Sequence, residues 1–298
     1  MVLSPIVLFT YNRPWHTRQT IEALQKNELS INSELFVFSD GAKDDLSAKK
    51  VKEVREYLKT VNGFKKITII EREKNWGLAD NIIDGVTKII NEYGKIIVLE
   101  DDLVTSPYFL RFMNEALEFY KDEKKVWHIS GWNYPIDTEG LRDVFFWRVM
   151  NCWGWATWAD RWQYYERNVE KIIKEFDKGD ILRFNIDDVE NFWNQVIANK
   201  KDKINTWAIF WYATIFKREG LCLNPSQSFV KNIGHDRSGI HCGENDIFIS
   251  SLSNKQNIIF SKNIEENQLA IEYLKKFYKH KKKSFLTKII KKIKITFK

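Results

Sequence analysis

Three consecutive carboxylates, Glu100, Asp101 and Asp102, are the side chains of this 298-residue chain best placed to do chemistry. They follow a short apolar run at residues 96–99, which is typical of a buried strand in a parallel sheet. Carboxylates at the end of a buried strand repel one another and lose their solvation, and a divalent cation relieves both costs. Because Mg²⁺ and Mn²⁺ prefer oxygen ligands and often take phosphates as the remaining ones, we expect a nucleotide-diphosphate substrate.

The same carboxylates could instead cap the next helix. The sequence favours Ser106 for that task, because Pro107 suits the first position of a helix and aromatic and aliphatic residues follow it. The triplet lies four residues before Ser106 and is not needed as a cap. We therefore favour metal binding over capping.

Strands and helices are predicted to alternate through the first hundred residues. Apolar runs predict strands at 6–9, 34–38, 67–70 and 96–99, with helices predicted at 15–26, 49–58 and 78–93. The alternation predicts an α/β fold with a doubly wound, mainly parallel sheet and helices on both faces. Right-handed crossovers would place all four strand ends at one edge of the sheet, where ligands of such sheets bind.

Polar residues follow each of these four strands. Arg13 suits a phosphate or a base carbonyl, Asp40 suits a base N–H or a ribose hydroxyl, and Gly77 lets backbone approach a ligand closely. A turn would explain any one cluster, but four in succession favour a shared nucleotide site. With the acidic triplet, its expected members are Thr10, Asn12, Arg13, Asp40, Asn75, Gly77, Leu78 and Asn81.

Several classes of protein lack their motifs here. No GxGxxG follows the first strand and no GxxxxGK[ST] occurs, which argues against a dinucleotide oxidoreductase and a P-loop NTPase. No apolar run approaches the roughly 18 residues of a membrane span, and the first nine residues lack the basic start of a signal peptide. Three cysteines without CxxC spacing favour a reducing compartment. We expect a cytoplasmic protein.

Positive charge is concentrated at the C-terminus. Residues 275–298 contain eleven lysines and no acid, and subtracting them from the net charge of +7 leaves −4 for residues 1–274. Apolar residues recur in this tail at three- and four-residue steps, which predicts a basic amphipathic helix on an anionic membrane surface. A disordered basic tail is the alternative. The acidic body argues against nucleic acid as a partner. From the tail, we expect a peripheral protein on the inner face of the plasma membrane.

The ordered motifs resemble those of the GT-A glycosyltransferases, in particular bacterial glycosyltransferase family 2. They are also similar to the animal N-acetylglucosaminyltransferase that initiates hybrid N-glycans. The matching segments are residues 11–14, 39–41, 75–78, 98–103, 126–133, 153–155 and 232–241. The resemblance implies a GT-A fold and transfer of a hexosyl or N-acetylhexosaminyl group from a nucleotide-sugar donor, usually a UDP-sugar. The acceptor would be a glycan or lipid-linked saccharide in bacterial surface polysaccharide synthesis, such as that of lipopolysaccharide.

The resemblance also implies a Mn²⁺ or Mg²⁺ cofactor with Asp102 as the direct ligand. Glu100 and Asp101 would face the ribose or a metal-bound water, and Arg13 and Asp40 would hold the nucleotide. His235 and His241 are candidates to complete the metal shell or to contact the diphosphate, although a solvated loop histidine is an equal alternative for each.

Seven of the twelve tryptophans lie between residues 127 and 162. Large aromatic side chains dominate protein cores, which explains part of this set, whereas the others are expected to pack against sugar C–H faces. The expected sugar and acceptor pocket contains Trp132, Trp153, Gly154, Trp155 and His235. We expect a nucleotide-sugar-binding half at 1–125, an acceptor-binding and catalytic half at 126–265, and the basic tail at 266–298.

An inverting transfer needs a general base, usually a carboxylate. The animal enzyme carries its base in a Trp-Asp-Asp-Trp run, whereas the corresponding Trp207–Trp211 segment of this chain has no carboxylate. We expect Asp236 as the base, with Asp188 as the second candidate. A retaining mechanism, a non-catalytic sugar-binding protein of the same fold and a sugar nucleotidyltransferase remain as alternatives.

Overall fold

The structure is a computed structural model that describes residues 2–236, 246–248 and 250–281. The first hundred residues alternate strands with helices, as predicted. The strands are β1 (Ile6–Thr10), β2 (Glu34–Ser39), β3 (Lys66–Glu71) and β4 (Lys95–Glu100), and the helices are α1 (Pro14–Gln25), α2 (Asp45–Leu58) and α3 (Leu78–Tyr93). Helix α2 begins four residues earlier than expected, because Asp44 caps it by accepting from the Ser47 N–H at 2.7 Å.

An eight-stranded mixed sheet forms the centre of the molecule. Its remaining strands are β6 (Val126–Ser130), β7 (Val144–Trp147), β8 (Trp155–Trp158) and β9 (Leu221–Pro225), in the order β3-β2-β1-β4-β8-β6-β9-β7. The strands β1 to β4 are parallel to one another, and β8 is antiparallel to both of its neighbours. Because β1 is buried at every position, both faces of the sheet are covered. The predicted α/β fold is confirmed.

A small second sheet begins just after the end of β4. β5 (Leu103–Thr105) directly follows the acidic triplet, and it pairs antiparallel with β10 (Val230–Asn232). Two segments more than a hundred residues apart in sequence are thereby fixed side by side at the carboxyl end of β4.

The helix after β5 starts later than the sequence suggests. α4 (Phe109–Phe119) has Tyr108 as its N-cap residue, and no side chain caps it. Ser106 and Pro107 instead form a turn, in which Ser106 Oγ accepts from the Tyr108 N–H at 3.1 Å. The triplet does not cap this helix, and the prediction of Ser106 as its N-cap was wrong.

The second half adds helices beside the sheet. They are α5 (Ala159–Trp162), α6 (Val169–Glu175), α7 (Lys178–Phe184), α8 (Trp193–Lys200) and α9 (Ala208–Lys217). The last four surround their own apolar cluster, in which the Phe184 and Tyr212 rings stack with centroids 4.1 Å apart. The Trp207–Trp211 segment lies at the start of α9, and both tryptophans are buried.

Most of the clustered tryptophans belong to the core. Six of the seven between residues 127 and 162 are buried, and Trp153 is the partly exposed one. The core thus explains more of this set than expected from the sequence. Large aromatic rings fill the space between the sheet and its helices.

The start of the predicted tail is part of the folded body. Residues 268–281 are helical, and one face of this C-terminal helix is buried through Ala270, Ile271, Leu274 and Tyr278. The Tyr278 hydroxyl donates to the Tyr134 hydroxyl at 2.9 Å. The rest of the amphipathic pattern predicted for residues 275–298, at residues 282–298, lies outside the described residues.

Candidate active site

Arg13 and Asp102 form an ion pair where β1 and β4 end. The parallel register sets Phe9 beside Glu100, which brings the segment after β1 next to the triplet. Arg13 Nη1 lies 2.8 Å from Asp102 Oδ2 and 3.7 Å from Asp101 Oδ1, and these side chains are only 11–12% exposed. The structure thus joins Arg13 and the triplet, which the sequence placed at the same edge of the predicted sheet.

The three carboxyl groups of the triplet lie close together, with the Arg13 guanidinium beside Asp101 and Asp102. Burial, followed by the neighbouring carboxylates of Asp102 and Asp101, raises the pKa of Glu100 to about 8. Burial and the Asp102 carboxylate likewise raise the pKa of Asp101 to about 7. Desolvated carboxylates in mutual contact are stabilised in their charged form by a nearby cation. This end of β4 is therefore a position where added positive charge is favourable.

The segment after β10 reaches the same place. β10 pairs with β5 up to Asn232, and the next N–H, that of Ile233, donates to the Asp102 carbonyl oxygen at 2.8 Å. Gly234 then lies so close to Asp102 that a Cβ would be 2.1 Å from its Oδ2. The chain turns there, and this turn brings Asp236 close to Arg13, the partner of the triplet.

Asp236 contacts the first turn of α1. Its Oδ1 is 3.7 Å from Arg13 Nη2, and its Oδ2 is 3.0 Å from Nε2 of His16. The Asp236 side chain is 47% exposed, whereas that of His16 is 7% exposed. Burial, followed by the charge of Arg13, lowers the pKa of His16. Arg13 therefore lies between a buried carboxylate, Asp102, and a solvent-accessible one.

His16 was not singled out in the sequence. The available signal was its place two residues after Pro14, in the first turn of a helix that begins at the ligand-binding edge. That signal is weak, because its partner Asp236 is brought near only by the β5–β10 pairing.

Asp40 fixes the loop that precedes α3. Its Oδ1 accepts from the N–H groups of Gly41 at 2.9 Å and Trp76 at 2.8 Å. Its Oδ2 accepts from the Gly77 N–H at 2.9 Å and from the Asn75 side-chain amide at 3.0 Å. The structure thus brings the expected nucleotide-binding residues Asp40, Asn75 and Gly77 together, with both Asp40 oxygens engaged in holding the loop.

Arg72 organises the other side of this loop and was missed in the sequence. Its Nε donates to Asn81 Oδ1 at 3.0 Å, its guanidinium pairs with Asp84, and its Cζ lies 3.9 Å from the centre of the Trp76 ring. Asn81, an expected nucleotide-binding residue, is therefore held by Arg72. Position 72 lies just past the end of β3, where an arginine reads as an ordinary surface residue.

The remaining expected nucleotide-binding residues stand at the same edge. Thr10 is buried, and its Oγ1 has no hydrogen-bond partner among the described residues. Asn12 is half-buried, and Leu78 at the start of α3 is exposed. Gly77 has a φ of +76°, in the left-handed region that favours glycine, so its presence is explained by the turn into α3.

An aromatic cavity of about 220 Å³ adjoins the segment that carries Asp236. His235 packs against Trp153 with ring centroids 5.4 Å apart, and Trp153 packs against Trp132 at 4.5 Å. The Trp132 Nε1 and both ring nitrogens of His235 are buried without a hydrogen-bond partner among the described residues. The walls include Trp132, Tyr134, Cys152, Trp153, Phe248 and Tyr278.

Gly154 and Trp155 serve the core instead of this cavity, contrary to expectation. Trp155 is 1% exposed on β8, and its ring stacks on Trp207 with centroids 5.1 Å apart. Gly154 has a φ of +65°, and a Cβ there would lie 2.7 Å from Val230 Cγ2. Backbone conformation and tight packing explain this glycine without any ligand.

Asp188 lies in the loop after α7, far along the chain from the triplet. It is exposed and has a φ of +65°. The preceding Asp187 lies 3.0 Å from Arg148 and 2.8 Å from Lys275 of the C-terminal helix. The loop is therefore held against that helix. His241, the second expected metal ligand, lies outside the described residues.

The fold and the site together define a class of protein. An α/β sheet with acidic residues at the carboxyl end of β4 and an aromatic second half is the GT-A glycosyltransferase architecture. The sequence model of glycosyl transferase family 2 matches residues 6–188, more than half of the chain. The chain therefore belongs to glycosyl transferase family 2.

Solved structures of TarS from S. aureus are similar in part. The structure of TarS 1–349 has 11% sequence identity and a TM-score of 0.44, covering 76% of this chain and 59% of that one. TarS 1–349 in complex with UDP has 17% identity and a TM-score of 0.32, covering 43% and 34%. A further TarS structure has 15% identity and a TM-score of 0.31, covering 43% and 21%. The chain thus spans less than two thirds of each of these structures.

A comparison with curated protein sequences gave no significant match. None of the helices formed by the described residues has both the length and the apolar character that a membrane span requires.

Proposed function

We propose that this protein transfers a sugar from a nucleotide-sugar donor, with UDP as the expected carrier, to an acceptor hydroxyl with the help of a divalent cation. The observation that carries the proposal is the cluster of desolvated carboxyl groups at the end of β4, where Arg13 faces Asp101 and Asp102 and the pKa values of Glu100 and Asp101 are raised. A bound cation with its diphosphate would favour the charged form of these groups. Family membership supports the reaction class.

The donor set fits Mg²⁺ or Mn²⁺, because the triplet offers only carboxylate oxygens. Among the described residues, no three His, Cys, Asp or Glu side chains converge closely enough to hold a metal ion. A cation here would take few protein ligands and complete its shell with diphosphate oxygens. We propose Asp102 as the direct ligand and His241 as a further one. When bound, the cation would act as a Lewis acid that stabilises the departing diphosphate.

The nucleotide would lie along the ends of β1 to β3. We propose that Thr10, whose buried hydroxyl has no partner among the described residues, faces the donor. Arg13, between Asp102 and Asp236, would position the diphosphate by its charge. Asp40 would contribute mainly by shaping the loop. The proposed contacts of that loop come from Asn75, Gly77, Leu78 and Asn81, together with Asn12 after β1.

Asp236 is the proposed general base of an inverting transfer. In this step the acceptor oxygen forms a bond to the anomeric carbon of the donor while its proton passes to the Asp236 carboxylate. The bond between that carbon and the diphosphate oxygen breaks, and its electron pair leaves with the nucleoside diphosphate. The partial exposure of Asp236 supports this role, because an acceptor hydroxyl can reach it. Asp188 remains the second candidate.

The aromatic cavity is the proposed place for the sugars. Trp132 and Trp153 line it, and the Trp132 Nε1, which has no hydrogen-bond partner among the described residues, can donate to a hydroxyl. His235 links this cavity to Asp236 by sequence and by its contact with Trp153. We propose the divisions at 1–125 and 126–265 as the donor-binding and acceptor-binding halves.

The acceptor is proposed to be a glycan or lipid-linked saccharide of a bacterial surface polysaccharide. The support is the basic sequence of residues 282–298. In the chain it comes after the C-terminal helix, whose Tyr278 forms part of the cavity wall. Lysines with interleaved apolar residues suit an anionic membrane surface, where such an acceptor would be met.

Calorimetry with UDP, GDP and CDP, each with and without Mn²⁺, tests the proposal. We expect one nucleotide to bind, and to bind much more tightly with the metal. Arg13→Gln should weaken that binding, whereas Arg142→Gln, an exposed arginine elsewhere, should not. Absence of binding by all three nucleotides, or binding that ignores the metal, would exclude the proposed donor site.

A further inference from the structure

The first turn of α1 holds the Asp236 carboxylate from its buried side. His16 Nε2 is 3.0 Å from Asp236 Oδ2, and the imidazole is almost fully covered. Trp15 covers it in part, packing edge-on with ring centroids 4.9 Å apart. One oxygen of a half-exposed carboxylate is thus in contact with a buried ring, and the other faces Arg13.

Among the described residues, the charged groups that act on His16 are Arg13 at the N-cap of its helix, Asp102 after β4 and Asp236 after β10. Burial and Arg13 lower the pKa of His16, and the two carboxylates oppose them. The imidazole is therefore neutral at neutral pH and can offer one N–H without adding a second cation. A neutral donor orients a carboxylate with less loss of its basicity than a charged partner would cause.

We infer that His16 is a positioning residue, whose Nε2–H holds the Asp236 carboxylate in the orientation in which it receives the acceptor proton. Arg13 also faces this carboxylate, with its Nη2 3.7 Å from Asp236 Oδ1, while its Nη1 donates to Asp102. In the present structure the ring N–H is not aligned with Oδ2, as is common for catalytic hydrogen bonds before substrate binds. The inference rests on the proposed role of Asp236.

Nuclear magnetic resonance tests the contact without any need for activity. The chain has five histidines, so the His16 signal can be assigned by its loss in His16→Phe. We expect Asp236→Asn to lower the pKa of His16 below its wild-type value, because a carboxylate that favours the imidazolium is removed. Asp188→Asn is the matched control and should leave the titration unchanged. Identical titration of His16 in wild type and Asp236→Asn would overturn the inference, whatever the fate of the proposed transferase activity.

Kinetics test the consequence in an enzyme whose donor has been found. His16→Phe should lower kcat by up to about 10²-fold, the cost of misplacing a catalytic group by about 1 Å. The donor KM should change little, and the acidic limb of the pH profile should move to higher pH. His16→Gln should recover part of kcat, because its amide can donate. Ile21→Val, a buried change in the same helix, should leave the profile in place.

A purely structural role predicts something different. His16→Phe and Ile21→Val would then lower kcat in proportion to lost stability, with the same pH profile as wild type and no recovery in His16→Gln. That result would overturn the inference and leave the proposed transferase function intact. If the wild-type protein bound no donor nucleotide, the proposed transferase function would be wrong. The magnetic resonance titration would still test the contact between His16 and Asp236.

Discussion

Gly234 lies directly against the Asp102 carboxylate, and a Cβ at position 234 would be 2.1 Å from Asp102 Oδ2 and 2.9 Å from Arg13 Nη2. Its φ is outside the left-handed region, so the requirement for glycine is one of space and not of backbone conformation. The segment that carries Asp236 therefore packs against the Arg13–Asp102 pair so closely that position 234 has no room for a methyl group.

Gly234→Ala should for this reason separate Arg13 from Asp102 and lower transfer by up to about 10²-fold, as expected for a displacement of about 1 Å in a catalytic group. The fold should persist by circular dichroism. Gly179→Ala is the control, since this exposed glycine is the second residue of α7, away from the triplet, and a Cβ there would meet only the exposed Asp177 side chain, at 3.2 Å. Equal activity of the two variants would show that the Asp102 position tolerates the shift.

Asp102→Asn should abolish nearly all transfer and remove the metal dependence of nucleotide binding, because the proposed direct ligand is lost. Titration calorimetry with the bound nucleotide, repeated with and without Mn²⁺, measures this. Asp160→Asn is a matched control, since Asp160 pairs with Lys124 and Arg161 away from the triplet. Retention of metal-dependent binding in Asp102→Asn would move the metal to another ligand.

The parallel half of the fold and its ligand edge could be predicted from the sequence. The runs that form β1 to β4 are short, apolar and separated by helices, and each is a local signal. Right-handed crossovers then fix which ends share an edge. The proximity of Arg13 to the triplet follows from these rules, because both segments directly follow adjacent parallel strands.

The roles of single residues at the edge depended on contacts that no local pattern contains. Asp40 reads as a ligand-binding aspartate in the sequence, but four donors from nearby loops occupy it. Gly154 reads as an opening for a ligand, but it accommodates Val230. The contact of His16 with Asp236 required the long-range pairing of β5 with β10, which a list of successive strands does not predict.

Asp236→Asn should lower kcat by roughly 10² to 10⁴-fold, the usual contribution of a general base, while nucleotide affinity changes little. The base acts in the transition state and does not hold the nucleotide. Steady-state kinetics with calorimetry of the donor nucleotide separates these two effects. The kcat of Asp236→Asn is compared with that of Asp188→Asn, the variant of the second candidate base. A greater loss in Asp188→Asn would transfer the role to that residue, and no loss in either would favour a retaining mechanism.

Removal of residues 282–298 should release the protein from anionic vesicles and leave donor binding intact. This cut removes seven lysines but keeps the C-terminal helix, whose Tyr278 is buried against Tyr134. Attachment of the full chain should weaken as salt rises, because exposed charges are screened beyond about 8 Å at physiological ionic strength. Vesicle co-sedimentation at low and high salt measures both effects.

A longer cut, from residue 275, should behave differently. It removes Tyr278 and also Lys275, which lies 2.8 Å from Asp187. Loss of a large buried aromatic ring costs about 3 to 5 kcal/mol, so this variant should be clearly less stable to urea. Equal pelleting of full-length protein and the 282–298 deletion would show that another surface contacts the membrane.

His128→Gln should make folding stability less dependent on pH. His128 is fully buried on β6, where its Nδ1 accepts from the Trp211 Nε1–H at 3.2 Å and its Nε2–H donates to the Asn151 carbonyl at 2.9 Å. Burial lowers the pKa of His128 to about 3. Below the unfolded value of about 6.5, the unfolded chain binds a proton that the folded chain rejects, so stability falls as pH falls.

The loss from this one group should be about 2 kcal/mol between pH 6.5 and pH 5, at about 1.4 kcal/mol for each pH unit. Urea unfolding at the two pH values measures it in wild type and in His128→Gln. His128→Gln should be less stable at pH 6.5, but its free energy of unfolding should fall less between the two pH values. His280→Gln, at an exposed position, should show the same fall as wild type. If wild type and His128→Gln lost the same free energy of unfolding over this interval, protonation of His128 would not be what destabilises the fold in acid.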